Sequence, residues 1–286
     1  NLNDYYDEKL KNARLKKLIS YDNFSIKLID IANRQLLADA FKTFSPKKVV
    51  NLAAQPGVKY SFDDPYSYMS SNSDGFLNII ELCKNEVEGL IYASSSSVYG
   101  SSKKVSSDNN DLSLKPLSLY GATKRFNEIV AQIYSDIYQL NTTGLRYFTV
   151  YGPWGRPDMA IPSFTDKIIK GKPIYVFNNG MMKRDFTYID DIITGTRSAI
   201  ENNYRCEIFN LGYSKSESLM NMISLIEKNL NIKARINFLP KPSGEPLETC
   251  SNIDYSIKKL GYKPKIKLNK GIPMFIDWYK KYYNAK

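Results

Sequence analysis

Tyr120 and Lys124, four residues apart in Tyr120-Gly121-Ala122-Thr123-Lys124, are spaced to act as an acid–base pair. On a helix that spacing puts both side chains on one face. There a lysine ammonium favours tyrosinate and draws down a phenol pKa that is ordinarily about 10. The chain contains no histidine. That excludes Ser-His-Asp and Cys-His catalysis and the usual histidine metal sites. Proton transfer is left to Tyr, Lys, Asp, Glu or a thiol. Spacing alone singles out nothing, because it recurs at Tyr5/Lys9, Tyr99/Lys103, Tyr255/Lys259 and Tyr282/Lys286 in a chain with 22 tyrosines. Solvated helix faces account for most such matches. What separates Tyr120 is its setting, since an apolar run at residues 89–93 leads directly into Ser94-Ser95-Ser96-Ser97-Val98-Tyr99-Gly100. A serine at a strand's carboxyl end faces the crevice where doubly wound sheets bind ligands. Four serines could also make a flexible turn, but the strand before them and Val-Tyr-Gly after them favour the crevice.

The elements that must position these groups read as alternating strands and helices. Residues 24–31 (FSIKLIDI) predict a strand and 32–44 a helix. Residues 48–53 (KVVNLA) predict a second strand, followed by a long helix over 66–84. Residues 89–93 and 143–148 (TGLRYF) predict two more strands. Between them 119–140 forms a helix with apolar residues at Ile129, Val130, Ile133 and Ile137. The alternation predicts an α/β fold, a Rossmann-like doubly wound parallel sheet. After Gly152 the texture changes to Gly- and Pro-punctuated loops, short strands and helices. The expected organisation is a dinucleotide-binding domain over residues 1–152 and a smaller ligand-binding lobe over 153–286. A segment at about 186–212 returns to the first sheet.

A dinucleotide-binding sheet opens on a strand, a Gly-rich turn, a helix and a second strand ending in an acid. The sequence shows none of these before residue 24, and residue 1 is Asn. The reading is therefore of a chain lacking its first roughly 30–40 residues, about one βαβ unit without its last strand.

Bulk composition sets outer limits. No apolar run approaches the roughly 20 residues of a membrane span. Cys83, Cys206 and Cys250 are far apart, which argues for a reducing, cytoplasmic setting and against a disulfide framework or zinc site. The net charge of +11 comes from scattered lysines interleaved with acids, so it suits an anionic small ligand better than nucleic acid.

With these pieces in place, the chain resembles the extended short-chain dehydrogenase/reductases and, within them, the UDP-glucuronate 4-epimerases. The likeness is carried by NLNDYYD at Asn1, NLAAQPGVKYS at Asn51 and YASSSSVYG at Tyr92. RYFTVYGPWGRPDM at Arg146 and NNGMMKRDFTYIDDI at Asn178 extend it over nearly the whole chain. The resemblance implies NAD as cofactor, with Asp30 and Ile31 at its adenine. Ala53, Ala54 and Gln55 would lie along its backbone, with Asn72, Tyr120, Lys124 and Tyr147 completing the pocket. It implies Ser95, Tyr120 and Lys124 as the catalytic set, with Ser95 on the sugar's 4-hydroxyl and Tyr120 as the base. C4 would be oxidised and re-reduced on its other face, converting UDP-glucuronate to UDP-galacturonate. Arg184 would meet the UDP diphosphate and Glu245, in the loop 241–246, the uridine ribose. Ser96, Ser97, Thr149 and Arg156 would hold the uronate carboxylate. A homodimer built on the Tyr120 helix and its neighbour, and a role in surface polysaccharide synthesis, follow from the same resemblance. A 4-epimerase of a neutral UDP-hexose or UDP-N-acetylhexosamine is the nearest alternative reading. An inactive nucleotide-sugar-binding fragment is the alternative of another kind.

Overall fold

The computed structural model describes residues 1–100 and 114–285. Lys103 and Lys286, partners in two of the tyrosine–lysine matches, lie outside the described residues.

Helix α1 (Glu8–Ile19) and α2 (Arg34–Phe44) precede β1 (Lys48–Asn51). Two single turns, α3 (Tyr60–Asp63) and α4 (Pro65–Tyr68), run through a wide π turn at Met69–Asp74 into α5 (Gly75–Cys83). Then come β2 (Gly89–Ser95), α6 (Leu119–Tyr138), β3 (Thr142–Tyr147) and β4 (Thr149–Tyr151). The second half holds α7 (Ala160–Ile169), β5 (Ile174–Phe177), β6 (Lys183–Tyr188), α8 (Ile189–Asn202) and β7 (Cys206–Leu211). It ends with β8 (Ser216–Ser218), α9 (Leu219–Leu230), β9 (Ile236–Leu239), α10 (Asp254–Leu260) and α11 (Leu268–Tyr283).

The central sheet has the order β1-β2-β3-β7, every pair parallel. Leu37, Phe41, Phe76, Ile80, Leu90 and Tyr92 pack on one face beneath α2, α5 and α6. Ile91, Leu145, Ile192, Phe209, Leu211 and Tyr262 pack on the other, beneath α8 and α10. Helices therefore cover both faces, as expected of a doubly wound fold. A separate core of Ile161, Ile174, Val176, Ile223, Ile272 and Phe275 joins α7, α9 and α11 to β4, β5 and β6.

Two of these expectations change and one gains a detail. Residues 24–31 form no strand. A segment becomes a strand only by sharing a ladder, and none of the described strands pairs with this one. The helix expected over 66–84 is present as one helical run from α4 through the π turn into α5, and the widened turn carries Asn72 at a 1% exposed position. In α6, Ile129, Ile133 and Ile137 are exposed, while the buried face carries Thr123, Lys124, Asn127, Glu128 and Ser135. The apolar stripe is the outer face of that helix; its inner face is polar because it hydrogen-bonds to the sheet ends. Ser118 caps α6 by accepting from the Gly121 N–H at 3.1 Å. A Cβ on Gly121 would stand 2.7 Å from the Ser97 carbonyl oxygen, so glycine lets the helix start against the serine turn.

Asp185 on β6 ties the second half to the sheet. It is 0% exposed and accepts from the N–H groups of Tyr213 at 2.7 Å, Ser214 at 3.0 Å and Ser251 at 2.9 Å. Asp185→Ala leaves those donors without a partner and is expected to lower stability by about 3–5 kcal/mol in urea unfolding. A change under about 1 kcal/mol would show that the three donors find other partners.

Candidate active site

The carboxyl ends of β2 and β3 open into a cleft of about 1540 Å³. Fifteen of the sixteen candidate side chains reach it. Asp30, Ile31, Ala53, Ala54 and Gln55 line the β1 side, and Ser95, Tyr120, Lys124 and Tyr147 stand at the strand ends. Ser96, Ser97, Thr149 and Arg156 follow, with Arg184 on β6 and Glu245 in the loop opposite. Asn72 does not line the cleft. Its amide accepts from the Gln55 N–H at 2.7 Å and donates to the Gln55 carbonyl at 3.0 Å and to Thr123 Oγ1 at 3.1 Å. It therefore shapes the strand end that carries Gln55.

Ser95 closes β2 and accepts from the Ser97 N–H at 3.1 Å. Lys124 is buried, donates to the Ala93 carbonyl at 2.9 Å and lies 5.9 Å from the centre of the Tyr120 ring. Burial lowers its pKa from 10.5 to about 8. The Tyr120 phenol is pushed up by burial, while the Arg156 guanidinium and a hydrogen bond with Ser95 draw it down. Its ring meets Tyr68 edge-on at 6.2 Å. The Tyr147 hydroxyl pairs with Thr196 Oγ1 at 3.0 Å.

Gln55 Nε2 is buried and, beside the Tyr68 phenol, lacks a well-formed hydrogen bond. A buried donor without a partner is costly in a finished structure. Here it borders a cleft floored by Ala53 and Ala54, where a polar cofactor can come close to the backbone. The residues fit a dinucleotide. Asp30 is locally engaged, accepting from the Ala32 N–H at 2.8 Å and from Asn1 Nδ2 at 2.6 Å.

Arg156 Nε pairs with Asp158 Oδ1 at 3.4 Å, and Asp158 Oδ2 accepts from the Tyr5 hydroxyl at 3.2 Å. Tyr5 and Asp158 both line the cleft and were not among the sequence candidates. Tyr5 stands in the sequence as a discounted tyrosine–lysine match and within NLNDYYD, with no role attached. Asp158, two residues after Arg156, was the available signal. Arg184 does not pair with its neighbour Asp185; its Nη2 meets Glu245 Oε2 at 2.7 Å. Asp185 cannot serve it, being enclosed by backbone donors. Among the described residues no group of His, Cys, Asp and Glu is placed to hold a metal ion. None of the described helices is long and apolar enough to cross a membrane.

The model of the NAD dependent epimerase/dehydratase family matches residues 5–212. The chain belongs to that family. UDP-glucuronate 4-epimerase 4 of Arabidopsis thaliana is 42% identical over 304 residues, covering 100% of this chain and 69% of that protein. Protein CapI of Staphylococcus aureus is 40% identical over 301 residues, covering 99% and 90%. The UDP-glucuronic acid 4-epimerase of Bacillus cereus, crystallised with UDP-glucuronic acid and NAD, superposes with a TM-score of 0.88. It shares 35% identity, over 96% of this chain and 87% of that one. The cofactor of this family member is NAD.

Keeping Lys124 charged in a buried site works against folding. With its pKa down from 10.5 to about 8, the opposition is on the order of 3 kcal/mol at neutral pH. It is full below about pH 8 and fades as pH rises toward 10.5, where the unfolded chain loses the proton too. Lys124→Met should therefore be more stable than wild type below about pH 8, with the gap narrowing above it. Thermal unfolding across pH measures this; a gap that is absent or widens with pH contradicts it.

Proposed function

We propose that this protein is an NAD-dependent UDP-sugar 4-epimerase acting on UDP-glucuronate to give UDP-galacturonate. The observation that carries the reading is the Arg156 guanidinium on the same cleft as Tyr120, accompanied by Thr149, Ser96 and Ser97. One guanidinium and several hydroxyls suit a carboxylate. The relatives named for UDP-glucuronate support it further.

In this reading Ser95 orients the sugar's 4-hydroxyl and Tyr120 Oη takes up and returns its proton. Lys124 holds a positive charge beside that phenol and meets the nicotinamide ribose. NAD, when bound, accepts and gives back hydride. Asp30, Ile31, Ala53, Ala54, Gln55 and Tyr147 are assigned to holding it, with Asn72 acting through Gln55. The UDP diphosphate draws Arg184 from Glu245, leaving that carboxylate for the ribose hydroxyls. Residues 1–152 with 186–212 form the cofactor side, and 153–286 mainly the UDP-sugar side. Asp158, itself bonded to Tyr5, holds the Nε edge of Arg156, and the uronate draws Nη2 from Met159 Sδ, 3.2 Å away.

Oxidation at C4 of a glucuronate gives a β-keto acid, which loses CO2 when the carboxylate bond aligns with the carbonyl. Arg156 and its hydroxyl neighbours hold it out of that alignment. With NAD present, the protein should turn over UDP-glucuronate in preference to UDP-glucose. Arg156→Ala should cut kcat/KM for the uronate by about 10- to 100-fold and raise the share of pentose product. Chromatography of the sugar nucleotides reads both. Equal turnover of the two sugars would favour a neutral substrate, and unchanged products in the variant would remove Arg156 from the clamp.

We also propose a homodimer through the outer face of α5 and α6. Leu77, Phe126, Ile129, Ile133 and Ile137 are 39–66% exposed there and form a stripe at helical spacing. Light scattering should give twice the 32.7 kDa chain mass, and Ile133→Asp should halve it. A monomeric wild type would refute the interface.

A further inference from the structure

Glu128 stands one turn beyond Lys124 on α6, about 6 Å along the helix axis. That is the spacing at which lysine and glutamate ordinarily pair on a helix, yet these two do not. Glu128 Oε1 accepts from Arg146 Nε at 2.7 Å and from Ser94 Oγ at 2.6 Å. Its Oε2 accepts from Arg146 Nη2 and Arg125 Nη1, each at 2.9 Å. Four donors meet the capacity of a carboxylate. Lys124 instead donates to Ala93, the residue before Ser94 on β2. Arg146 is 0% exposed and is itself fixed, standing in register between Ser94 and Asn210 across the sheet. Its Nη1 donates to the Tyr99 hydroxyl at 2.9 Å, and that hydroxyl donates to Asn210 Oδ1 at 2.7 Å.

We propose that Arg146 is a positioning residue that closes Glu128 into its own network, withholding that charge from Lys124 so that no carboxylate competes with Tyr120 for the ammonium. This rests on Tyr120 and Lys124 being the proton-transfer pair. The lowering of Lys124 to about 8 by burial, with no carboxylate opposing it, is consistent with such isolation. The groups facing Tyr120 from other elements are Ser95, Tyr68 and Arg156. Beyond its hydrogen-bond partners, Glu128 faces the buried Tyr92 phenol on β2.

The test is the pH dependence of kcat, whose acid limb follows deprotonation of Tyr120. In Arg146→Gln, Glu128 keeps only Arg125 as a charged partner, and the limb should move up by about 0.5–1 pH unit. In Glu128→Gln, Arg146 is left in excess and the limb should move down by a similar amount. The double variant should return to within about 0.3 of wild type. Arg125→Gln, at a side chain that reaches the surface, is the variant expected to fold should the buried ones not. It must move the limb upward by less than Arg146→Gln is expected to. Limbs that stay in place in the folded variants, or shift the same way in both buried single variants, overturn the proposal. Undiminished turnover by Tyr120→Phe overturns the assignment beneath it instead.

Discussion

A buried ion pair, Arg146 on β3 with Glu128 on α6, sets the relation between the central sheet and the helix that carries the chemistry. Both side chains are 0% exposed, and the guanidinium grips the carboxylate through two of its nitrogens. Such a pair adds little net stability, because both charges must leave water. Its effect is on geometry. A planar guanidinium satisfies a carboxylate in few orientations, so α6 has one register against β2 and β3. With that register fixed, Lys124 reaches Ala93 and Tyr120 faces the end of β2. A helix held by apolar packing alone could slide or rotate by a fraction of a turn at small cost.

The remaining geometry follows from the strand ends. β2, β3 and β7 finish side by side, with Ser95, Tyr147 and Leu211 in register. The backbone then leaves the sheet in different directions, which opens the cleft. The first residues cross it: Asn1 meets Asp30, Asn3 meets Gln55 and Tyr5 meets Asp158. One short segment thus spans from the cofactor side to the Arg156 loop.

Much of this was legible in the sequence where local chemistry and spacing were sufficient. The strand before Ser94 and the Val-Tyr-Gly after the serines picked one tyrosine–lysine match from several equal ones. The fold class followed from the alternation of elements, and nearly every candidate residue reached one cleft. What escaped depends on contacts remote in the chain. Residues 24–31 have the composition of a strand, but strand formation requires a neighbour. The isoleucines of α6 have the spacing of a core face, yet polar partners 18 and 34 residues away claim the inner face. Tyr5 and Asp158 meet across 153 residues. No periodicity reports such a meeting, and the inward turn of Asn72 hangs on a π turn for which the local sequence gave no signal.

The unpaired edge of β1 has its own consequence. Val50 and Leu52 at that edge are 38% and 56% exposed. Between them lie backbone groups that no described strand engages. An open ladder flanked by apolar side chains is a template for strand addition. Among the described residues, that border is where a further extended segment would lengthen the central sheet by one strand.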